Sequence, residues 1–266
     1  MVFNLEYMKN KLDIEILKEK KVFDKYFNNL LSNYLSKNLL DNAMLYANLN
    51  GGKRIRPYLL KEFAKIKNIK KERYLRLSAT VELIHSYSLI HDDLPSMDND
   101  DFRRGKPSLH KKFNEAQAIL AGDSIHDLAF EILSHNSTHS NAGILLKLIN
   151  FTAYNIGSKG LAGGQSLDLL YEKKKISLNN ILKMYTMKTS SLFKICCVGP
   201  FIMKNSKKNE IKFASSYAEI FGIIFQIVDD YLDVFGKKKK IGKTLGKDIQ
   251  QKKSTILSYY NNKETY

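Results

Sequence analysis

The amino-acid sequence predicts one mostly helical domain, and three observations carry that reading. Apolar residues recur at the three-to-four-residue spacing of an amphipathic helix almost throughout the chain. Turn residues are scarce: there are only four prolines in 266 residues and no Gly/Ser-rich linker, whereas regularly spaced strands need more. Hydrophobic residues make up 44% and charged residues 26% of the composition, the balance of a globular protein with a sizeable core. No repeat of solenoid period and no domain boundary interrupts the pattern.

The N-terminal stretch MVFNLEYMKNKLDIEILKEKK reads as an amphipathic charged helix and lacks the uninterrupted apolar core of a signal peptide. The next segment carries Phe23, Phe27, Leu30, Leu31 and Tyr34 on one face. ERYLRLSATVELIHSYSLIHDD predicts a long helix that runs into an acidic cluster and ends at the turn Pro95 enforces. Further helices are expected over Asn114–Ser134, Ala142–Ile156, Leu178–Cys197 and Phe213–Phe235. Gly51-Gly52, Gly105, Gly163-Gly164 and Gly199-Pro200 punctuate them. Cys196 and Cys197 are the only cysteines. Adjacent cysteines seldom bridge, so the pair reads as core packing in a reducing compartment. The longest apolar runs, such as EIFGIIFQIV, fall short of the roughly 20 residues a membrane span needs. A cytoplasmic protein with no stable membrane insertion is expected.

The net charge of +16 is ascribed mostly to lysines on solvated helix faces, Lys237–Lys240 among them, and otherwise to a field that attracts an anionic ligand. Nucleic acid is not indicated, since no basic stripe interleaved with aromatics and no finger or helix-turn-helix signature occurs. A polyphosphate small molecule would serve as well.

The stretch LIHDDLPSMDNDDFRRGKP puts five aspartates inside ten residues and two arginines directly after them. Asp92, Asp93 and Asp98 form a DDxxxxD pattern. Hard cations such as Mg²⁺ take one or two carboxylates and complete their shell with substrate phosphate oxygens. A second cluster, FQIVDDYLD, contributes Asp229, Asp230 and Asp233 near the end of a segment apolar on almost every face, hence expected to be a buried helix. Asp229 and Asp233 lie one turn apart and share a face, which Gln226 and Gly222 continue upstream. Buried acids are costly unless cations compensate them. A structural salt-bridge network would do so, but two such clusters on apolar helices favour the facing walls of one metal-filled cavity.

The cations are patterned too. GGKRIRP places Lys53, Arg54 and Arg56 after a glycine pair, and DDFRRG adds Arg103 and Arg104. MKTSSL supplies Lys188 and Thr189, and GKTLGKDIQQKKST supplies Lys243, Lys247 and Lys253. Arginine's planar fork pairs two phosphate oxygens at once, and lysine adds point charge. Any one of these could be a solvated surface cation; Arg103 and Arg104, tied to the acidic cluster, suit that reading least. No nucleophile elbow, P-loop or Cys–His pairing is present. The expected chemistry is metal-assisted departure of a diphosphate without a protein nucleophile.

In this order, GGKRIRP, ELIHSYSLIHDDLPSMDNDDFRRGKP, AGDSIHDLAFEIL, GGQSLDL, KTSSLF, FQIVDDYLD and GKTLGKDIQQKKST resemble the motifs of the trans-prenyltransferases, or polyprenyl synthetases, over roughly residues 20–257. The likeness is greatest to the bacterial farnesyl diphosphate synthase type. It implies an all-α, single-domain antiparallel helical bundle around a deep central cavity, usually working as a homodimer. It also implies a reaction in which an allylic diphosphate, dimethylallyl and then geranyl, ionises. Isopentenyl diphosphate attacks the cation, and a proton leaves to the released diphosphate. Three Mg²⁺ ions held between the aspartate motifs are implied as cofactors.

Carried over motif by motif, Asp92, Asp93, Asp98, Asp229 and Asp233 would serve the metals, with Asp230 beside them among the catalytic acids. Arg103, Lys188, Thr189, Gln226 and Lys243 would hold the allylic diphosphate or the backbone near the cation. Lys53, Arg56, His85 and Arg104 would hold isopentenyl diphosphate, and Lys253 would close the cavity mouth. Tyr87, five residues before Asp92, would floor the prenyl pocket and stop the product at C15. Packing against a neighbouring helix is the plainer alternative for that tyrosine.

Two departures from the family pattern stand out. Ser190 replaces the glycine that often follows the Lys-Thr pair, a small change expected to leave the site intact. The chain ends at Tyr266, where relatives usually continue with more helix, so a shortened C-terminus and a less stable but active protein are expected. Rival readings are the same reaction stopping at C10 or C20 and a catalytically weakened partner subunit. More remote is an HD-type metal-dependent phosphohydrolase built on His85, His91 and Asp92, which leaves FQIVDDYLD and GGKRIRP without a role. A terpene cyclase would share one aspartate motif but needs no second diphosphate site.

Overall fold

The computed structural model describes residues 5–235 and 253–260; Lys243, Lys247 and Lys237–Lys240 lie outside the described residues. The chain begins with α1 (Leu5–Tyr34), α2 (Leu39–Leu49), α3 (Ile55–Ile66) and α4 (Lys71–Asp92). A small antiparallel hairpin follows, β1 (Phe102–Arg103) and β2 (Lys106–Pro107), with Phe102 opposite Pro107 and Arg103 opposite Lys106. Then come α5 (Leu109–Lys112), α6 (Glu115–Ser134), α7 (Ala142–Ile156), α8 (Leu161–Tyr171) and α9 (Leu178–Tyr185). A π-helical turn, Thr186–Ser190, leads into α10 (Ser191–Met203), α11 (Lys208–Phe235) and, last among the described residues, the short helix α12 (Ile256–Tyr259). The all-α reading holds, and helix starts are chemically marked. The side chains of Asn38, Asn114 and Asn141 accept from the backbone N–H three residues on, capping α2, α6 and α7.

Two helices form the centre. Leu77, Val81, Leu83 and Ile84 of α4 and Phe193, Ile195, Cys196, Cys197 and Val198 of α10 are fully buried. The cysteines are unbridged and serve as core packing, as expected. Around this pair pack α3, α6, α7 and α11. Phe23, Phe27, Leu30 and Leu31 bury the predicted face of α1.

The structure corrects three expectations. The helix foreseen over Leu178–Cys197 is divided by the π turn, and its second part runs through Gly199-Pro200 to Met203. Gly199 allows that passage a tight fit, since a Cβ there would stand 2.6 Å from Leu77 Cδ2. Second, α11 is not buried all round. It turns a stripe of small and acidic residues inward (Ala214, Ala218, Gly222, Asp230, Asp233) and leaves Phe213, Tyr217, Ile220, Ile224 and Val228 exposed. The small residues let it approach the π turn, for a Cβ at Gly222 would meet Ser190 Oγ at 2.3 Å. The outward aromatics border an apolar groove of about 670 Å³ lined by Tyr58, Phe63, Ile66 and Phe201. Third, α11 is, among the described residues, the one helix long and apolar enough to cross a membrane by length and composition. The continuous helix joins apolar runs that single polar residues separate in the sequence.

Candidate active site

The first acidic wall forms where α4 ends. The loop after Asp92 folds back on the helix: Asp98 N–H donates to Asp92 O at 2.9 Å and Asp100 N–H to Asp93 O at 3.1 Å. Asn99 takes the left-handed φ of 48° that the reversal requires. Asp98 is thereby brought beside Asp92. Asp93 is buried and faces Arg103, whose Nε donates to its two oxygens at 3.0 and 3.2 Å and whose Nη2 donates as well. Arg103 also reaches Asp100 at 3.3 Å. Burial pushes the Asp93 carboxyl up to about 6 in spite of that ion pair. Asp92 rises further, to about 7. Burial is the largest cause, Lys188 and Arg103 pull the other way, and Asp98 and Asp93 add to the rise.

The hairpin delivers the next cation. Arg104 and Gly105 turn it with φ values of 54° and 76°, the pair of positive angles a type I′ turn needs. Arg104 then lies against the GGKRIRP loop, donating from Nη1 to Gly51 O at 2.6 Å. Gly52, with φ 118°, is required there: a Cβ would stand 3.0 Å from the guanidinium carbon. In that loop the three cations diverge. Lys53 is exposed. Arg54 turns inward, donating to Asp24 Oδ1 at 2.9 Å, to Glu82 and to Asn48 O at 3.0 Å. It is an internal staple rather than a substrate cation.

Arg56 differs again. Its Nε is buried with no hydrogen-bond partner, and its guanidinium lies 4.8 Å from the Phe193 ring centre. A buried polar group left unpaired costs about 1–3 kcal/mol, more when charged, so this site suits an anion. Burial lowers the Arg56 pKa, and Glu82 opposes most strongly. On α4, His85 is held well below its ordinary value, first by burial and then by Arg56, Arg104, Arg54 and Arg103. It is neutral at pH 7 inside a strongly positive field.

In the second wall two neutral groups reach Asp230. Buried Asp230 accepts from Gln226 Nε2 at 2.8 Å and from the Tyr185 hydroxyl. Gln226 Oε1 accepts from Thr189 Oγ1 at 2.6 Å, so Thr189, Gln226 and Asp230 form one hydrogen-bonded line. Asp233 is buried, and half-buried Asp229 acts electrostatically on Arg56. Ser190 is fully buried and its hydroxyl donates to Glu219 O at 2.9 Å.

The last cations converge on the remaining motif. A Cβ at Gly164 of α8 would stand 2.2 Å from Lys188 N, so only glycine lets α8 touch the π turn. Lys188 Nζ donates to Asp168 Oδ2 at 2.6 Å. Lys253 Nζ reaches Asp98 Oδ1 at 2.9 Å and Asp168 Oδ2 at 3.4 Å. Ser254 Oγ donates to Tyr171 O and Lys174 O, each at 2.8 Å, and Ile256 N–H donates to Tyr185 Oη at 2.8 Å. Residues 253–260 are thereby tied to both acidic walls. Sequence reading passes over Asp24, Glu82, Asp168 and Tyr185. For Asp168 a signal existed: it lies one turn after Gly164, on the face that meets the π turn.

Among the described residues no three carboxylate, imidazole or thiol groups converge as a ready-made metal centre. The carboxylates that could hold a metal stand on two walls, Asp92 and Asp98 on one and Asp229 and Asp233 on the other, while Asp93 is paired with Arg103. Oxygen-only ligands that leave coordination positions for phosphate fit Mg²⁺. His91, which a phosphohydrolase would need beside Asp92, lies against Gly122 of α6, 3.4 Å from Ile119 O and 3.7 Å from Asp123 Oδ1. Tyr87 meets His126 edge-on at 5.1 Å, and His126 meets Phe130 at 5.2 Å. It does pack against α6, and burial, with Asp92 adding, pushes its hydroxyl up to about 12.

Comparison with known proteins agrees with the all-α fold. The sequence profile of the Polyprenyl synthetase family matches residues 37–265. The chain is 40% identical over 249 residues to farnesyl diphosphate synthase of Micrococcus luteus, covering 91% of this chain and 85% of that one. It is 37% identical over 256 residues to farnesyl diphosphate synthase of Bacillus subtilis, with 94% and 85% covered. Among solved structures, an FPP/GFPP synthase from Zymomonas mobilis matches with a TM-score of 0.83 at 35% identity, over 95% of this chain and 87% of that one. A geranyltransferase from Helicobacter pylori, complexed with magnesium and isoprenyl diphosphate, matches with a TM-score of 0.81 at 29% identity, over 94% and 85%. With its motifs, its all-α architecture and these likenesses in accord, the chain belongs to the polyprenyl synthetase family.

Proposed function

We propose that this protein is a prenyltransferase that condenses isopentenyl diphosphate with dimethylallyl and then geranyl diphosphate to give farnesyl diphosphate. One juxtaposition supports this most: crowded carboxylates that feel Lys188 and Arg103 adjoin a second set of cations gathered around neutral His85. Two diphosphates of different fate need two such places.

In this reading Arg56, Arg104, His85 and Lys53 hold isopentenyl diphosphate. Neutral His85 offers a hydrogen bond without adding to the repulsion among the arginines. Arg103 and Lys188 hold the allylic diphosphate, with Lys243, outside the described residues, assigned beside them. As the allylic C–O bond breaks, its electron pair leaves with the diphosphate, and these fixed cations stabilise the charge that develops. Thr189 and Gln226 hold the π-turn backbone in place near the allylic carbon. The double bond of isopentenyl diphosphate then bonds to that carbon, and the proton it loses goes to the released diphosphate. No protein base is required.

Bound between the walls by Asp92, Asp98, Asp229 and Asp233, Mg²⁺ would neutralise the leaving diphosphate. Asp93, braced by Arg103, would contribute from behind, as would Asp230 through Gln226. Three ions per site, a homodimer, a single domain over residues 1–266 and a cytoplasmic location belong to the same proposal, and Tyr87 sets the C15 stop.

The test is incubation with dimethylallyl diphosphate, isopentenyl diphosphate and Mg²⁺, with chromatography of the dephosphorylated products. A C15 alcohol that disappears on chelation supports the proposal. A C10 or C20 alcohol keeps the transfer and removes the floor from Tyr87. Phosphate release from a monoester without condensation, or no product from folded protein, overturns it.

A further inference from the structure

The motif GGQSLDL has no part in the reaction as described, yet its aspartate is placed with care. Gly164 and Asp168 share one face of α8, and the missing Cβ of Gly164 lets that face press on the Lys188 backbone. Asp168 is only 5% exposed. A carboxylate at that depth is unfavourable unless compensated, and here two ammonium groups compensate it, Lys188 at 2.6 Å and Lys253 at 3.4 Å. Burial raises its pKa, and Lys188 and Lys253 more than offset that, leaving the carboxyl below its ordinary range.

The arrangement solves a specific problem. Lys188 and Lys253 repel one another, and each sits on a flexible four-carbon stem that a free ligand would have to order. A carboxylate shared by both removes the repulsion and orders both stems in advance. An ammonium carries three N–H donors. With Lys188 giving one to Asp168, others remain for a phosphate. Lys253 joins Asp168 to Asp98 of the first wall, so the same anion also fastens the 253–260 segment.

We infer that Asp168 is a positioning residue for the condensation: a buried shared counter-ion that aims Lys188 at the allylic diphosphate and ties Lys253 to the cavity mouth. This rests on the prenyltransferase reading. It assigns Asp168 no contact with the reacting atoms; it acts through the two lysines.

The test compares Asp168→Asn, Asp168→Glu, Lys253→Ala and the Asp168→Asn/Lys253→Ala double variant by steady-state kinetics and by amide hydrogen exchange of the full chain. Asp168→Asn is expected to lower kcat by roughly tenfold or more, the loss of a charge-assisted contact. KM for isopentenyl diphosphate should stay within about twofold, because its cations are elsewhere. Asp168→Glu should recover most of the loss. The double variant should fall well short of the product of the single losses, since both act on one contact.

Exchange of the 253–260 amides should quicken in Asp168→Asn while α8 and α10 stay protected. Unchanged kcat with unchanged exchange at 253–260 overturns the inference. So does loss of protection throughout α8 and α10, which marks Asp168 as merely structural. If Asp168→Asn does not fold, Asp168→Glu and Lys253→Ala decide by the same exchange readout. Should the parent protein condense nothing, the proposed function fails, while the exchange arm still judges the tie between Asp168 and Lys253.

Discussion

The two acidic walls are alike in sequence and differ in what braces them. In the first, Asp93 is held by Arg103, a full positive charge. In the second, Asp230 accepts from Tyr185 and Gln226, which are neutral. Arginine has five donors, so a guanidinium can keep its carboxylate and still turn toward an arriving phosphate. A phenol and an amide have no charge to offer. A charged brace would answer an anionic ligand more strongly than these two, and Tyr185 also accepts from the Ile256 N–H of the C-terminal segment.

The largest effect expected from that difference is catalytic. Asp92→Asn should lower condensation by about a thousandfold, roughly 4 kcal/mol of transition-state stabilisation. Asp230→Asn should lower it by only about tenfold, because the amide keeps one acceptor for its neighbours. Turnover assays with both variants decide this, and equal losses would erase the distinction between the walls. Metal-free Asp92→Asn should melt no lower than the parent, since burial disfavours the charge it removes.

Next comes stability. Arg103→Ala leaves Asp93 buried without its cation and should cost about 3 kcal/mol. In a calorimetric scan that corresponds to a Tm lower by roughly 6–12 °C. An unchanged Tm would mean the charged brace contributes nothing to the fold. Tyr185→Phe is milder, because Asp230 keeps Gln226; the lost hydroxyl should cost about 1–2 kcal/mol. Its signature is faster hydrogen exchange at Ile256, with α11 protected as before. If α11 loosened too, the second wall would depend on its brace as much as the first.

Smallest in energy is Tyr87→Ala. Condensation should persist within about threefold, while the chromatogram shifts to alcohols longer than C15. An unchanged C15 product would leave Tyr87 with its packing role against His126 and no part in chain length.

What was legible in the sequence is what local rules reach. The spacing of Phe23, Phe27, Leu30 and Leu31 marked the buried face of α1, because helix period acts within one or two turns. The two aspartate motifs and the cationic motifs were visible as residue types at set spacings, and the family likeness was visible in their order. The apolar count of α11 was visible too, but not that its aromatics face outward. That depends on which neighbours press against Ala218 and Gly222.

Tertiary structure alone decided how the charges are shared out. Arg54 and Arg56 stand two residues apart in one motif, yet the first is stapled to Asp24 and Glu82, and the second keeps a buried Nε without a partner. Asp93 and Asp92 are adjacent, yet one is braced by Arg103 and the other is not. The partners that settle these cases lie far along the chain: 28 residues for Arg54 and Glu82, 45 for Tyr185 and Asp230, 155 for Lys253 and Asp98. Helix periodicity relates neighbours three and four residues apart. A buried charge is settled instead by whatever the fold brings within about 4 Å of it, and no local pattern carries that distance.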